Sequence, residues 1–251
     1  MTARIHYNQR SPTAVAATSS DGNFPVANIN TTPVDRQWRS TSTVLQNIDI
    51  DLGSSLPITA VCVQHTNAPA FTVLADNSNP PTTARGTLTT YADNGGRRKG
   101  KLEFSATVRY IRLQVAASVA VAEENGTALG YYYIGAAYVF ANTLNLPRDP
   151  SYGSPINHNA AQETIELPNG QAIAVALGPV YSTMELGFTV GSSADIERVR
   201  RLAALAPVWL DLDVASERWR QWPVRCTADR VTRNVARING ERVEIPLREI
   251  A

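Results

Sequence analysis

The sequence predicts a mainly β protein in two units: a jelly-roll β-sandwich over residues 1–147, then a second β-sandwich or barrel module over residues 148–251 carrying one short helix. Three observations lead there. The dominant hydrophobic period is two rather than 3.6. Turn-forming Gly, Pro, Asn and Asp recur between short apolar runs. A chain of 251 residues is also long for one β domain and comfortable for two, each with a core of ordinary size.

The elements follow in order. Ile48-Asp49-Ile50-Asp51-Leu52 alternates apolar and acidic, placing Ile48, Ile50 and Leu52 on one face of a strand and both aspartates on the other. Gly53-Ser54-Ser55 is expected to end that strand. Short strands are predicted over Ile58 to Gln64, Ala70 to Ala75 and Thr87 to Tyr91. Val108 to Val115 alternates again, with Ile111, Leu113 and Val115 inward and Arg112 and Gln114 outward, and Tyr131 to Phe140 fits a buried strand. Asp149-Pro150-Ser151-Tyr152-Gly153-Ser154-Pro155 is a turn-rich crossing where the domains divide. Beyond it, Val180 to Val190 reads as a strand. Ser192-Ser193 offers N-capping hydroxyls to a helix over 193–206, with acids in its first turn, arginines later, and Ile196, Val199 and Leu202 on one stripe. Pro207 stops it. Val208 to Leu212 and Trp219 to Cys226 are further strands, and Asn239-Gly240 is a hairpin signal joining Val231 to Ile238 with Glu241 to Leu247.

Composition excludes several function classes. A formal net charge of +1 and a pI near 7.8 supply no global field to collect nucleic acid, acidic substrates or anionic lipid. Of 23 basic residues only Lys99 and Lys101 are lysines, and arginine is the better partner for planar bidentate contacts. Cys62 and Cys226 are too few for a disulfide framework and are expected as buried reduced thiols. Residues 1–7 lack the apolar run of a signal peptide, and no stretch approaches the roughly 20 apolar residues of a membrane span. Assembly in a reducing cytoplasm, without membrane insertion, is the expectation.

No catalytic constellation stands out. His6, His65 and His158 lie far apart, with no His-x-His or Cys-x-x-Cys pair, no Gly-x-Ser-x-Gly elbow and no phosphate-cradling loop. Glu123-Glu124 reads as a solvated loop. The protein is therefore expected not to be an enzyme, and to hold neither cofactor nor metal. Gly95-Gly96-Arg97-Arg98-Lys99-Gly100-Lys101 reads as a basic hairpin tip. Arg97, Arg98 and Lys99 could contact an anion or an acidic partner there, or DNA threading a channel, although no aromatics interleave to stack on bases.

The order Pro25 to Ile29, Gln37-Trp38-Arg39-Ser40, Ile48 to Gly53, Ile58 to Val61 and Tyr110 to Leu113 resembles the discoidin, or galactose-binding-like, family over about residues 10 to 141. That resemblance implies a jelly roll whose loops can hold glycans, and Trp38 and Arg39 match the ligand loops by position. Trp38 reads first as a core or loop anchor and second as a sugar platform, because a large ring dominates packing where it is buried. Asn28 and Asn30 fall in the loop that holds calcium in some relatives, but the loop offers too few carboxylates for that ion.

The second half, roughly 165 to 251, resembles the ring-forming β-module of phage tail-tube and distal-tail proteins. The resemblance rests on the helix, the Trp209 strand, the Trp219 to Val224 segment and the closing Arg242 to Glu249 strand. It implies a structural virion protein of a siphophage tail tip or baseplate, a hexameric ring joining the tail tube to the host-recognition apparatus. Its partners would be copies of itself, the tube, other baseplate proteins and surface glycan. The module order is reversed from the usual one, so another ring near the tube's end fits as well. Trp209, Trp219 and Trp222 are the expected packing or interface residues. The alternative is a carbohydrate-binding protein whose first half attaches to surface glycans.

Overall fold

The computed structural model describes residues 4–30, 36–92, 98–117, 129–145 and 208–211 with their side chains, together with the backbone of further strands between residues 156 and 249. The described chain is mainly antiparallel β. Its first half holds β1 (Arg4–Gln9), β2 (Ala14–Ala17), a 3-10 turn (Val26–Asn30), β3 (Trp38–Arg39), β4 (Gln46–Thr66), β5 (Ala70–Asp76), β6 (Ala84–Ala92), β7 (Arg98–Val115) and β8 (Tyr133–Asn145). Next come β9 (Ile156–Asn159), β10 (Gln162–Glu166), β11 (Ala172–Ala176) and β12 (Tyr181–Val190), then β13 (Val208–Asp211), β14 (Gln221–Cys226), β15 (Thr232–Ala236) and β16 (Gly240–Glu249). The main sheet runs β5-β6-β7-β4-β8-β1-β13-β14-β16-β12-β9, and β10 pairs with β11 apart from it.

β4 is the longest strand, paired with β7 along one side and with β8 along the other. Its alternation is as the sequence implies. Ile48, Ile50 and Leu52 are buried, while Arg112 grips Asp49 through two bonds of 2.6 and 2.8 Å and Arg109 grips Asp51 through two of 2.8 and 3.0 Å. Gly53-Ser54-Ser55 does not end the strand. Asp51 registers with Tyr110 and Leu56 with Val108, so β4 advances five residues while β7 advances two, and the surplus is absorbed as a bulge. Gly53 makes this possible at φ +78, with its N–H donating to Asp51 Oδ1 at 2.7 Å. The inward faces close over Trp38, Phe71, Val73, Leu88, Ile111, Leu113 and Ile134.

The expected basic tip is also corrected. Arg97 lies outside the described residues, but β7 already begins at Arg98, where Nε donates to Thr90 Oγ1 at 3.0 Å and Nη2 to Thr90 O at 2.7 Å. Lys99 registers with Tyr91 and is buried. The strand runs further toward the loop than its composition suggests, because Gly100 lets the backbone pass against Thr89 where a Cβ would collide. Neither residue is a solvated cation at a hairpin tip.

β13 pairs with β1, setting Ile5 against Leu210 and His6 against Trp209, so the sheet crosses the turn-rich segment between the halves. Trp209 is fully buried with Ala60, Cys62, Ala136, Tyr138 and Phe140, its ring 6.2 Å from that of Tyr138. Its role in this chain is core packing. Trp222 stands opposite Leu210 in the β13–β14 ladder. Trp219 and the helix expected over 193–206 lie outside the described residues. The terminal hairpin forms, with Ala236 opposite Gly240, so Gly240 is the first residue of the returning strand rather than the second turn residue.

His6 on β1 approaches Glu103 on β7 (Nε2 to Oε1, 3.3 Å) although β8 and β4 lie between those strands in the sheet order. The sheet therefore folds over on itself. Burial holds His6 below the ordinary histidine value, with the Glu103 bond offsetting part of that effect. Burial works to raise the Glu103 carboxyl, but the bonds from His6 and Lys101 outweigh it and keep the group well below the usual carboxylate range. Both shifts have the same sign for stability. Below about pH 6.5 the unfolded chain takes up a proton that folded His6 refuses, and at lower pH protonation removes what the Glu103 carboxylate contributes. The urea midpoint should fall as pH drops from about 7 to about 5, and His6→Gln should flatten that segment. Leu113→Ala, which empties a site in the central core, should cost roughly 2–5 kcal/mol by urea unfolding at neutral pH.

Candidate functional site

The β3–β8 ladder separates two residues that sequence alone placed together. Trp38 registers with Ile134 and Arg39 with Tyr133. Alternation sends the first pair into the core, where both side chains have no exposure, and the second pair to the outer face. The Trp38 indole N–H lies 3.0 Å from both Ser19 O and Ser20 Oγ. This ring anchors a loop and offers no stacking surface, which removes it as a sugar platform.

Arg39 is half-buried and held from several sides. Its guanidinium lies 3.7 Å from the centroid of Phe24 and 5.1 Å from that of Tyr131. With the Gln37 amide oxygen turned toward it, that oxygen accepts from Nη2 at 2.6 Å and Nε at 2.8 Å. The backbone beneath is equally fixed. Arg39 N donates to Phe24 O at 3.1 Å and Asp21 N donates to Arg39 O at 2.9 Å, while the Asp21 side chain accepts from Asn23 N at 2.9 Å to shape the turn that presents Phe24.

The opposite wall is the run Tyr131-Tyr132-Tyr133. Tyr132 points inward, its hydroxyl donating to Ala116 O at 3.0 Å, with Thr43 O at 3.3 Å, and its N–H reaching Ser40 Oγ at 2.8 Å. Tyr131 and Tyr133 consequently share the outer face. The Asn67 side chain pins both, accepting from Tyr133 N at 2.9 Å and donating to Tyr131 O at 2.9 Å, and Thr66 Oγ1 donates to Tyr133 O at 2.7 Å. His65 completes the row, edge-on to Tyr133 at 5.5 Å between centroids and 83° between planes, on a backbone of φ +55. Phe24, Arg39, Tyr131, Tyr133 and His65 are each half-buried, so every member keeps an open side.

Such a patch combines aromatic faces with nitrogen and hydroxyl groups held at fixed positions. Aromatic faces suit the apolar C–H face of a pyranose ring, and fixed polar groups suit its hydroxyl rim. Stacking leaves the guanidinium planar and oriented, so little further freedom is lost when it meets a ligand. Of the residues the sequence singled out, the patch contains only Arg39. Phe24 and Gln37 come from separate loops and His65 from the end of β4, and no local pattern connects them to it. The run of three tyrosines did carry a signal, since period two places the first and third on one face.

No protein-family model matches the chain, and no curated protein does. Solved structures of discoidin-like carbohydrate-binding modules resemble about half of it. One is chitosan-binding module 1 of a chitosanase/glucanase from Paenibacillus sp. IK-5, with TM-score 0.41 and 20% identity over 53% of this chain and 99% of the module. Another is the CBM32 of AlyQ in complex with 4,5-unsaturated mannuronic acid, with TM-score 0.43 and 20% identity over 54% of this chain and all (100%) of that one. The family 32 module of C. perfringens NanJ in complex with galactose aligns at TM-score 0.43 and 14% identity over 54% of this chain and 98% of the module. Likenesses this distant say nothing of what this chain binds.

Burial separates the neighbours Trp38 and Arg39 energetically as well. Trp38→Ala should cost roughly 3–5 kcal/mol in urea unfolding, whereas Arg39→Ala should cost about 1 kcal/mol or less, because its contacts lie at the surface.

Proposed function

We propose that this protein is a carbohydrate-binding protein and that the Phe24, Arg39, Tyr131, Tyr133 and His65 face receives the sugar. The observation that carries the reading is the Arg39 guanidinium stacked on Phe24 and turned toward Tyr131, with a second tyrosine and a histidine continuing the same face. Tyr131 or Tyr133 offers the ring face, Arg39 donates to hydroxyls, His65 can donate through one ring nitrogen and accept at the other, and the Asn67 and Gln37 bonds hold the set in place. No bond of the sugar is broken in this reading, and the protein acts by attachment. A glycan array followed by calorimetry on the best saccharide should find binding that falls about tenfold or more in Arg39→Ala and in Tyr131→Ala. Unchanged affinity in both variants, with the fold intact, would contradict the assignment.

A second reading is the structural subunit of a phage tail tip, located in the virion and assembled with copies of itself. What favours it is the antiparallel extension β14-β16-β12-β9, in which β9, among the described residues, pairs only with β12. A strand edge without a partner is a template for pairing with another chain. Light scattering distinguishes this reading: a hexameric mass supports the ring, and a strict monomer at high concentration counts against it.

A further inference from the structure

The proposed sugar face carries a charge that the fold does not cancel. Among the described residues Arg4 pairs with Glu103, Arg109 with Asp51 and Arg112 with Asp49, whereas no carboxylate lies within ion-pairing distance of Arg39. Its partners are the Phe24 and Tyr131 rings and the Gln37 amide. Resting on the carbohydrate reading above, we propose that the saccharide selected here is acidic, a uronic-acid glycan whose carboxylate Arg39 grips end-on while Gln37 holds the guanidinium in position.

Three observations point to this class of ligand. The first is the set of donors left over. A guanidinium presents five N–H donors in one plane. The Gln37 oxygen, turned toward Arg39, accepts one from Nε at 2.8 Å and one from Nη2 at 2.6 Å, which fills the side-on edge of the fork. Two donors remain on Nη1 and one on Nη2, and a parallel pair of them leaves from the end of the group. A carboxylate is planar and offers two oxygens at matching spacing, so it accepts both at once. A hydroxyl has one oxygen and cannot span the fork.

The second is the direction of approach. Phe24 closes one face of the guanidinium at 3.7 Å, and Tyr131 borders it at 5.1 Å. A ligand therefore meets Arg39 along the plane of the group, the direction in which a carboxylate pairs through two bonds. Arg39 is half-buried and stands opposite Tyr133 in the β3–β8 ladder, so a pyranose lying on this face brings its rim substituents beside the open edge.

The third is the choice of residue at 37. A glutamate there would accept from the same two nitrogens and would also neutralise them, as Asp49 does for Arg112 and Asp51 for Arg109. Glutamine fixes the group and leaves its full positive charge for an incoming anion. Partial removal from water strengthens the attraction between that charge and a carboxylate.

Calorimetry on the full-length protein tests this with oligosaccharides of D-glucuronate, D-galacturonate and D-mannuronate, each beside its methyl ester. The ester keeps the sugar and removes the charge. At least one acid should bind about tenfold or more tightly than its ester. Gln37→Glu, which has the same shape, should abolish that preference and leave the ester's affinity within about twofold of wild type. Arg39→Lys keeps the charge but loses the fork, and should also abolish most of the preference. Both variants should keep urea midpoints close to that of the wild type. Acid and ester bound equally, or a preference that survives both substitutions, would overturn the proposal and leave the carbohydrate reading standing. So would neutral glycans bound on the array with neither acid nor ester bound in solution. An array with no glycan bound at all would remove both readings together.

Discussion

The structure depends on the double pairing of β4. A strand hydrogen-bonded on both sides cannot slip without breaking two ladders, and here each slip of one residue would also turn Ile48, Ile50 and Leu52 out and Asp49 and Asp51 in. The arginine grips on the two aspartates set the same register from the outer face. The bulge at Gly53 then lets one strand serve two stretches of the core while pairing with β7 on both sides of the bulge. Everything else is placed relative to this spine: β8 along one side, β1 and β13 beyond β8, and β3 at the end of β8 where the chain enters it.

The proposed sugar face is a consequence of that placement. β8 enters the sheet through the three tyrosines, and Thr66 and Asn67 at the end of β4 fasten their backbone. Tyr132 is drawn inward to Ser40, and its two neighbours must therefore face out. β3 registers Arg39 beside Tyr133, and the Asp21 to Phe24 turn completes the stack. Rigidity of the patch is thus inherited from backbone pairing, with side chains supplying the chemistry.

Much of the first half was legible in the sequence because its strands alternate cleanly. The inward triplets Ile48, Ile50, Leu52 and Ile111, Leu113, Val115 are all buried. What misled were the glycines. Gly53 with two serines reads as a stop, and Gly100 amid charges reads as a loop, yet one permits a bulge and the other a close backbone passage within continuous strands. Pairing between β1 and β13 was not legible at all, since period two tells which face a residue takes and not which distant strand lies beside it. For the same reason the site was seen only as Arg39. Its other members converge from the turn at Phe24, the end of β4 at His65 and the start of β8, and their meeting is a property of the whole sheet.

The most direct test of this account is to follow backbone amide signals by NMR while titrating the saccharide that binds best. The account predicts saturable shifts concentrated at Phe24, Arg39, Tyr131, Tyr133 and His65, with those of the core strands unmoved. Saturable shifts confined to another face of the protein would contradict it.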